Sequence, residues 1–160
     1  MNLTFRTTPE KNDIQRIMDM LVSTNFFYDH EVEIAVELIA ERLTKGESSD
    51  YHFVFAEVDG VTAAYACYGH IEMTKSCFDL YWLVTHNDFR GKGIGKKLLE
   101  ETYMEAKKMG CTKIIAETSG REHYAPTQAF YISAGYTLEA RISDYYDKGD
   151  DKLIYTKRLE

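Results

Sequence analysis

Residues 90–95 read Arg90-Gly91-Lys92-Gly93-Ile94-Gly95, three glycines and two cations in six positions. Glycine admits φ > 0 and lets an oxygen approach the main chain with no Cβ in the way. An apolar, β-rich run, Phe78 to Thr85, and a polar turn, His86-Asn87-Asp88, precede the loop; an amphipathic pattern with helical period follows from Lys96. Strand, glycine loop and helix together aim backbone N–H groups and a helix N-terminus at an anion, usually phosphate. Arg90, Lys92, Lys96 and Lys97 gather positive charge there, in a chain whose formal net charge is -7. A pyrophosphate is the expected ligand.

Spacing narrows the choice. A Walker loop needs two glycines five apart followed by Lys and Ser/Thr, which is absent, and a Gly-x-Gly-x-x-Gly fingerprint begun at Gly91 ends on Lys96. Arg-x-x-Gly-x-Gly fits, with Arg90, Gly93 and Gly95. It resembles the coenzyme A loop of the GNAT superfamily, the general-control-related N-acetyltransferases. Residues 125–136, with Ala129-Phe130-Tyr131 leading to Gly135-Tyr136, resemble that family's second signature. Pro126 stands where many members carry Asn, so a coenzyme contact made by that side chain is lost or moved to Thr127.

The resemblance implies a GNAT fold of α/β (α+β) class. This is a mixed, mostly antiparallel sheet flanked by about four helices, in the order β-α-α-β-β-β-α-β-α-β-β over one domain, 1–160. It implies an N-acetyltransferase that uses acetyl-CoA as cosubstrate, without a metal, and moves the acetyl group to a primary amine by direct attack in a ternary complex. Coenzyme contacts fall on Val84, Thr85, Arg90, Gly91, Lys92, Gly93, Ile94, Gly95, Lys96 and Thr127. Tyr131 takes the position of the usual general acid.

Acetyl transfer sets three tasks. An amine with a pKa near ~10.4 must lose a proton, the thioester oxygen must be met by donors as it gains charge, and a thiolate of pKa near ~8.5 must depart. Asp79, on the strand that leads into the loop and on one face with Tyr81, is the candidate base, because its position is similar to that of the catalytic Glu in histone-type acetyltransferases of the family. Tyr131 is the candidate acid for the thiolate. For the acceptor, residues 29–41 hold five carboxylates and no Lys or Arg. Glu33, Glu37 and Glu41 recur every four residues and read as a solvated stripe. Asp29 and Glu31, beside Phe27 and Tyr28, are placed to meet a ligand. Residues 142–151, with Tyr145, resemble the connection that packs tyrosines around the acceptor in GNAT enzymes acting on protein N-termini. A small-molecule amine is favoured over a protein N-terminus or lysine. A non-catalytic acyl-CoA-binding module and a nucleotide-binding regulatory domain are the competing classes.

The elements that must position these residues follow from period and punctuation. A strand is expected from Leu3 to Thr7, then a helix opened by Pro9 and Asp13 with Ile14, Ile17, Met18, Leu21 and Val22 inward. A loop covers 25–30, and a second helix runs from Glu31 to Leu43. Tyr51–Val58 and Val61–His70 form a hairpin about Asp59-Gly60. The loop helix spans Gly95 to Met109, with Met109 inward and Gly110 as cap. A strand from Lys113 to Glu117, a helix from Tyr124 to Ala134, and two strands, Thr137–Ile142 and Leu153–Arg158 joined by a polar connection, complete the chain.

At 160 residues and 44% hydrophobic content, the chain can bury a sizeable core. No apolar run approaches the ~18 residues of a membrane span, residues 1–9 lack a signal-peptide core, and the acidic charge argues against a nucleic-acid partner. Cys67, Cys77 and Cys111, odd in number and unclustered, read as free thiols of a cytoplasmic protein. With 12 tyrosines among its aromatics and family relatives that are often dimers, the chain has room for a homodimer.

Overall fold

Long alternating apolar runs make strands and 3.6-period runs make helices, and their order is the expected one. The structure, a computed structural model, describes residues 1–160. In chain order its elements are β1 (Leu3–Arg6), α1 (Asp13–Ser23), α2 (Asp29–Lys45), β2 (His52–Val58), β3 (Val61–His70) and β4 (Cys77–Thr85). They continue with α3 (Ile94–Lys108), β5 (Lys113–Ser119), α4 (Ala125–Ser133), β6 (Thr137–Asp147) and β7 (Asp150–Arg158). The strands form one sheet in the order β1-β2-β3-β4-β5-β7-β6. β4 and β5 pair in parallel, while β1–β2, β2–β3, β5–β7 and β6–β7 are antiparallel. No helix is long and apolar enough to cross a membrane.

The chain divides into two compact units, 1–69 with 82–106, and 70–81 with 107–160. In the first, Ile17, Met20, Leu21, Ala35 and Ile39 of α1 and α2 pack on Phe53, Phe55, Tyr65, Cys67 and Val84. The alternate residues Val54, Ala56, Ala64 and Ala66 are buried as well, so both faces of β2 and β3 are covered and the one-sided alternation expected of them does not hold. Asp59 and Gly60 turn the β2–β3 hairpin with φ of 50° and 82°, the backbone that an Asp-Gly pair is suited to. Asp13 is buried at the start of α1. Its carboxylate accepts two bonds from Arg6, both 2.9 Å, one from Arg16 at 3.0 Å and one from the Glu10 N–H at 2.7 Å.

In the second unit the β4–β5 ladder pairs Cys77–Leu80 with Lys113–Ala116, and β5 pairs along its whole length with β7. This register sorts the side chains by face. Phe78, Leu80, Ile114, Ala116, Leu153 and Tyr155 point to a buried face with Tyr131 and Tyr136; Asp79, Ile115, Glu117, Lys152 and Ile154 point to the other.

Several boundaries and orientations differ from expectation. α2 starts at Asp29 rather than Glu31 because the Glu31 carboxylate reaches back to accept the Tyr28 N–H at 3.0 Å, a cap contact without the usual small polar residue at the N-cap. Val22 and Met109 are exposed. α1 turns Met20 inward with Ile17 and Leu21, and α3 ends at Lys108, one residue short of Met109. The polar stretch 143–152 is not a loop. β6 runs on to Asp147, pairs it with Asp150, and absorbs an irregularity in which Asp144 takes φ of 53°.

Candidate functional site

The glycine loop and its supports lie in the first unit. The His86 N–H donates to the Ala63 carbonyl at 2.8 Å, the Asn87 N–H to Ser23 Oγ at 3.0 Å, and the Asp88 N–H to His86 Nδ1 at 3.1 Å. His86 therefore fixes the turn. Val84 is buried in the core just upstream and Thr85 is half-buried. Gly91 and Gly93 take φ of 76° and 75°, and a Cβ on either would meet nothing within 4 Å. These positions need glycine for backbone conformation, not for room. Gly95 has no positive φ and lies in the first turn of α3, anchored by the buried Ile94.

The first helical bond of α3 runs from the Lys97 N–H to the Gly93 carbonyl at 3.3 Å, so the N–H groups of Ile94, Gly95 and Lys96 have no helical acceptor. No acidic side chain occupies this first turn, and Arg90, Lys92, Lys96 and Lys97 are exposed around it. Lys92 lies 5.8 Å over the Phe89 ring. Free donors, the positive end of a helix and four cations are the features that an anion site requires.

Of the acceptor candidates in this unit, Phe27 is half-buried and edge-on to Trp82, ring centroids 5.5 Å apart, so packing holds it. Tyr28 is exposed and stacked on His30 at 5.9 Å, and Asp29 is exposed beside it. Glu31, expected to meet a ligand, is used as a cap.

The second unit holds Tyr131, Asp79, Tyr81, Thr127 and Tyr145. Tyr131 is stacked on Tyr155 with centroids 5.6 Å apart and is met edge-on by Tyr136 at 5.1 Å. Burial pushes its hydroxyl up to about 12. Thr127 is half-buried in the first turn of α4. That turn is tied to β5 by Gln128, which donates to the Ser119 and Arg121 carbonyls at 2.9 and 3.2 Å. Ser119 in turn donates to the buried Asp150, which pairs with Arg121 at 3.3 Å.

On the opposite face from Tyr155, Asp79 is half-buried. Burial first and the Glu117 charge second push its carboxyl up to about 6, against a pull from Lys152. Glu117 and Lys152 form an ion pair, the Lys152 side chain only 12% exposed. Its ammonium sits 4.0 Å over the Tyr145 ring. Tyr81 is exposed on β4 two residues beyond Asp79. Sequence reasoning missed Glu117 and Lys152. The one local signal was a lone carboxylate interrupting the apolar run Ile114-Ile115-Ala116; nothing local marks Lys152, which meets Glu117 only through the β5–β7 register.

Known proteins resolve the class. The model of the acetyltransferase (GNAT) family matches residues 14–136. A protein described as an acetyltransferase of the GNAT family, from Desulfovibrio desulfuricans, is 38% identical, with 99% of this chain and 100% of that one covered and a TM-score of 0.96. The ribosomal-protein-S18-alanine N-acetyltransferase from Escherichia coli shares the fold at 18% identity, covering 99% and 95% of the two chains with a TM-score of 0.73. An acetyltransferase from Salmonella typhimurium solved with its cofactor acetyl-CoA does so at 20% identity, 100% and 95% coverage and a TM-score of 0.75. No curated protein matches. The chain belongs to the GNAT family and is a GNAT-type acetyltransferase.

Proposed function

We propose that this acetyltransferase takes its acetyl group from acetyl-CoA and delivers it to a primary amine in a ternary complex, with a small cationic amine as the favoured acceptor. The observation that carries the donor is the first turn of α3, with three unengaged N–H groups between positive-φ glycines and four exposed cations. The pyrophosphate is assigned to Gly91 through Lys96, and the pantetheine arm to main-chain groups of Val84 and Thr85. Thr127 supplies the polar contact that Pro126 cannot.

In the reaction, the amine's proton passes through water to Asp79, whose side chain lies on the opposite face of the sheet from Tyr131. The freed nitrogen pair attacks the thioester carbonyl carbon, the oxygen takes the charge, and the C–S bond then breaks. The thiolate leaves with a hydrogen bond or proton from Tyr131. An Asp79 carboxyl near 6 is ionised at neutral pH yet far more basic than an ordinary carboxylate, which suits a proton acceptor. Phe27, Tyr28 and Asp29 of the first unit and Tyr81 and Tyr145 of the second are the acceptor residues of this reading, and the 160 residues act as one cytoplasmic catalytic domain.

A protein N-terminus is the second reading, favoured by the exposure of the adjacent Tyr145 and Tyr146 on β6. Thermal shift with acetyl-CoA, ATP and NAD tests the donor: a ligand at ~100 times its Kd stabilises by about 2.7 kcal/mol. Stabilisation by ATP or NAD and none by acetyl-CoA overturns the reading. Thiol release across a panel of polyamines, amino-acid amines and peptides ranks the acceptors.

A further inference from the structure

Two carboxylates share one face of the second unit, and their surroundings are unequal. Asp79 is opposite Ile115 across the parallel ladder, Glu117 follows Ile115 by two residues on β5, and Lys152 is opposite Ser119 on β7, so all three side chains project the same way. Lys152 reaches Glu117, not Asp79, in an ion pair, and the Tyr145 ring covers its ammonium at 4.0 Å. The pairing satisfies Glu117. Asp79 is half-buried with no hydrogen bond among the influences on it.

We infer that Lys152 is a positioning residue for acetyl transfer: by holding Glu117 it leaves Asp79 as the one carboxylate of this face free to take the amine's proton. This rests on the reading of Asp79 as the proton acceptor. The charged groups that act on Asp79 are Glu117 from β5 and Lys152 from β7; Tyr145 acts in turn on Lys152, and Lys152, Glu117, Tyr145 and Asp150 all act on the neighbouring Tyr146. Lys152 itself stays charged, because the hydrogen bonds of Glu117 and Tyr145 outweigh the burial that would draw its proton off. An ammonium removed from this face leaves Glu117 uncompensated beside Asp79, and two like charges so placed resist joint ionisation.

The test is the acid limb of kcat/KM against pH for K152M, K152R, E117Q, the K152M/E117Q double variant and D79N. The amine's own titration is common to all and cancels in the comparison. Wild type is expected to lose activity as pH falls through about 6. K152M should move that limb upward by about one pH unit, K152R should restore it, E117Q should move it downward, and the double variant should bring it back near wild type. An equal loss at every pH in K152M, with the limb unmoved, overturns the inference. Should K152M fail to fold, E117Q and the double variant still decide it: a limb unmoved in E117Q is fatal. If D79N keeps both the rate and the limb, the failure lies with Asp79 as acceptor, a result distinct from an unmoved limb in the Lys152 and Glu117 variants.

Discussion

Tyr131 is stacked on Tyr155, their ring planes 30° apart and their centroids separated by 5.6 Å. The contact fixes the direction of the Tyr131 phenol from below while Tyr136 braces its edge. It also sets the phenol's chemistry. A hydroxyl held at about 12 is a far weaker acid than a thiol of ~8.5, so in the proposed reaction it would serve a departing sulfur by donating a hydrogen bond as charge develops rather than by surrendering the proton early.

Tyr131→Phe keeps the stack and removes only the donor. We expect acetyl-CoA affinity to hold while kcat and kcat/KM fall together by about 10²-fold. The deficit should narrow above pH ~8.5, where the thiolate is stable without help. Thiol-release kinetics at two pH values check this; full activity at neutral pH would make Tyr131 a packing residue.

The same burial links Tyr131 to alkaline stability. Its folded pKa lies above the unfolded value of 10, so its contribution is complete below pH 10 and is lost as pH rises toward 12. At pH 11 the loss from this residue is about 1.4 kcal/mol. Denaturant melts at neutral pH and at pH 11 should show a smaller alkaline loss for Tyr131→Phe than for wild type. Equal losses would mean that the phenol is not desolvated.

The glycines of the loop should separate by substitution. Gly93→Ala forces a Cβ onto φ of 75°, at a cost of about 1–2 kcal/mol, or several degrees of Tm, and weakens coenzyme binding as well. Gly95→Ala, on helical backbone, should leave Tm unchanged or higher and weaken acetyl-CoA binding alone. Calorimetry of both variants measures the two effects, and unchanged affinity in Gly95→Ala would remove that glycine from the phosphate site.

Asp13 is fully buried between Arg6 and Arg16. Burial raises its carboxyl, but bonds from Arg6, Glu10 and Arg16 outweigh this and hold it below the ordinary range. The resulting stability is present above about pH 4 and is lost as pH falls through the lowered folded value. Asp13→Asn removes the carboxylate shared by Arg6 and Arg16, leaving Arg6 only its longer pairs with Glu10 and Glu57 at 3.7 and 3.5 Å, and should cost about 3 kcal/mol at pH 7, with a flatter acid unfolding curve. An unchanged Tm would show that solvent replaces the contact.

What was legible in the sequence was local. Gly60 and Gly110 sit where turns and caps require them, and the glycines at 91 and 93 take the positive φ that their residue type suits. The start of α2 was misplaced because a tyrosine at its N-cap hides the Glu31 contact, and Asp144 gave no sign that β6 would absorb a bulge and continue. Arg6 with Asp13, and Glu117 with Lys152, were illegible for one reason. Each pair is brought together by tertiary packing or strand register, and no spacing along the chain records it.

β6 closes the sheet order and its eleven residues are all exposed, with Leu138, Ile142, Tyr145 and Tyr146 among them. Such a border would ordinarily template further strands. Here the left-handed Asp144 breaks its straightness, and its carboxylate accepts the Gly149 N–H at 2.7 Å. Glu139, Arg141 and Asp147 place charge among the apolar side chains. The kink at Asp144 thus guards the molecule against growing into a fibre from this edge.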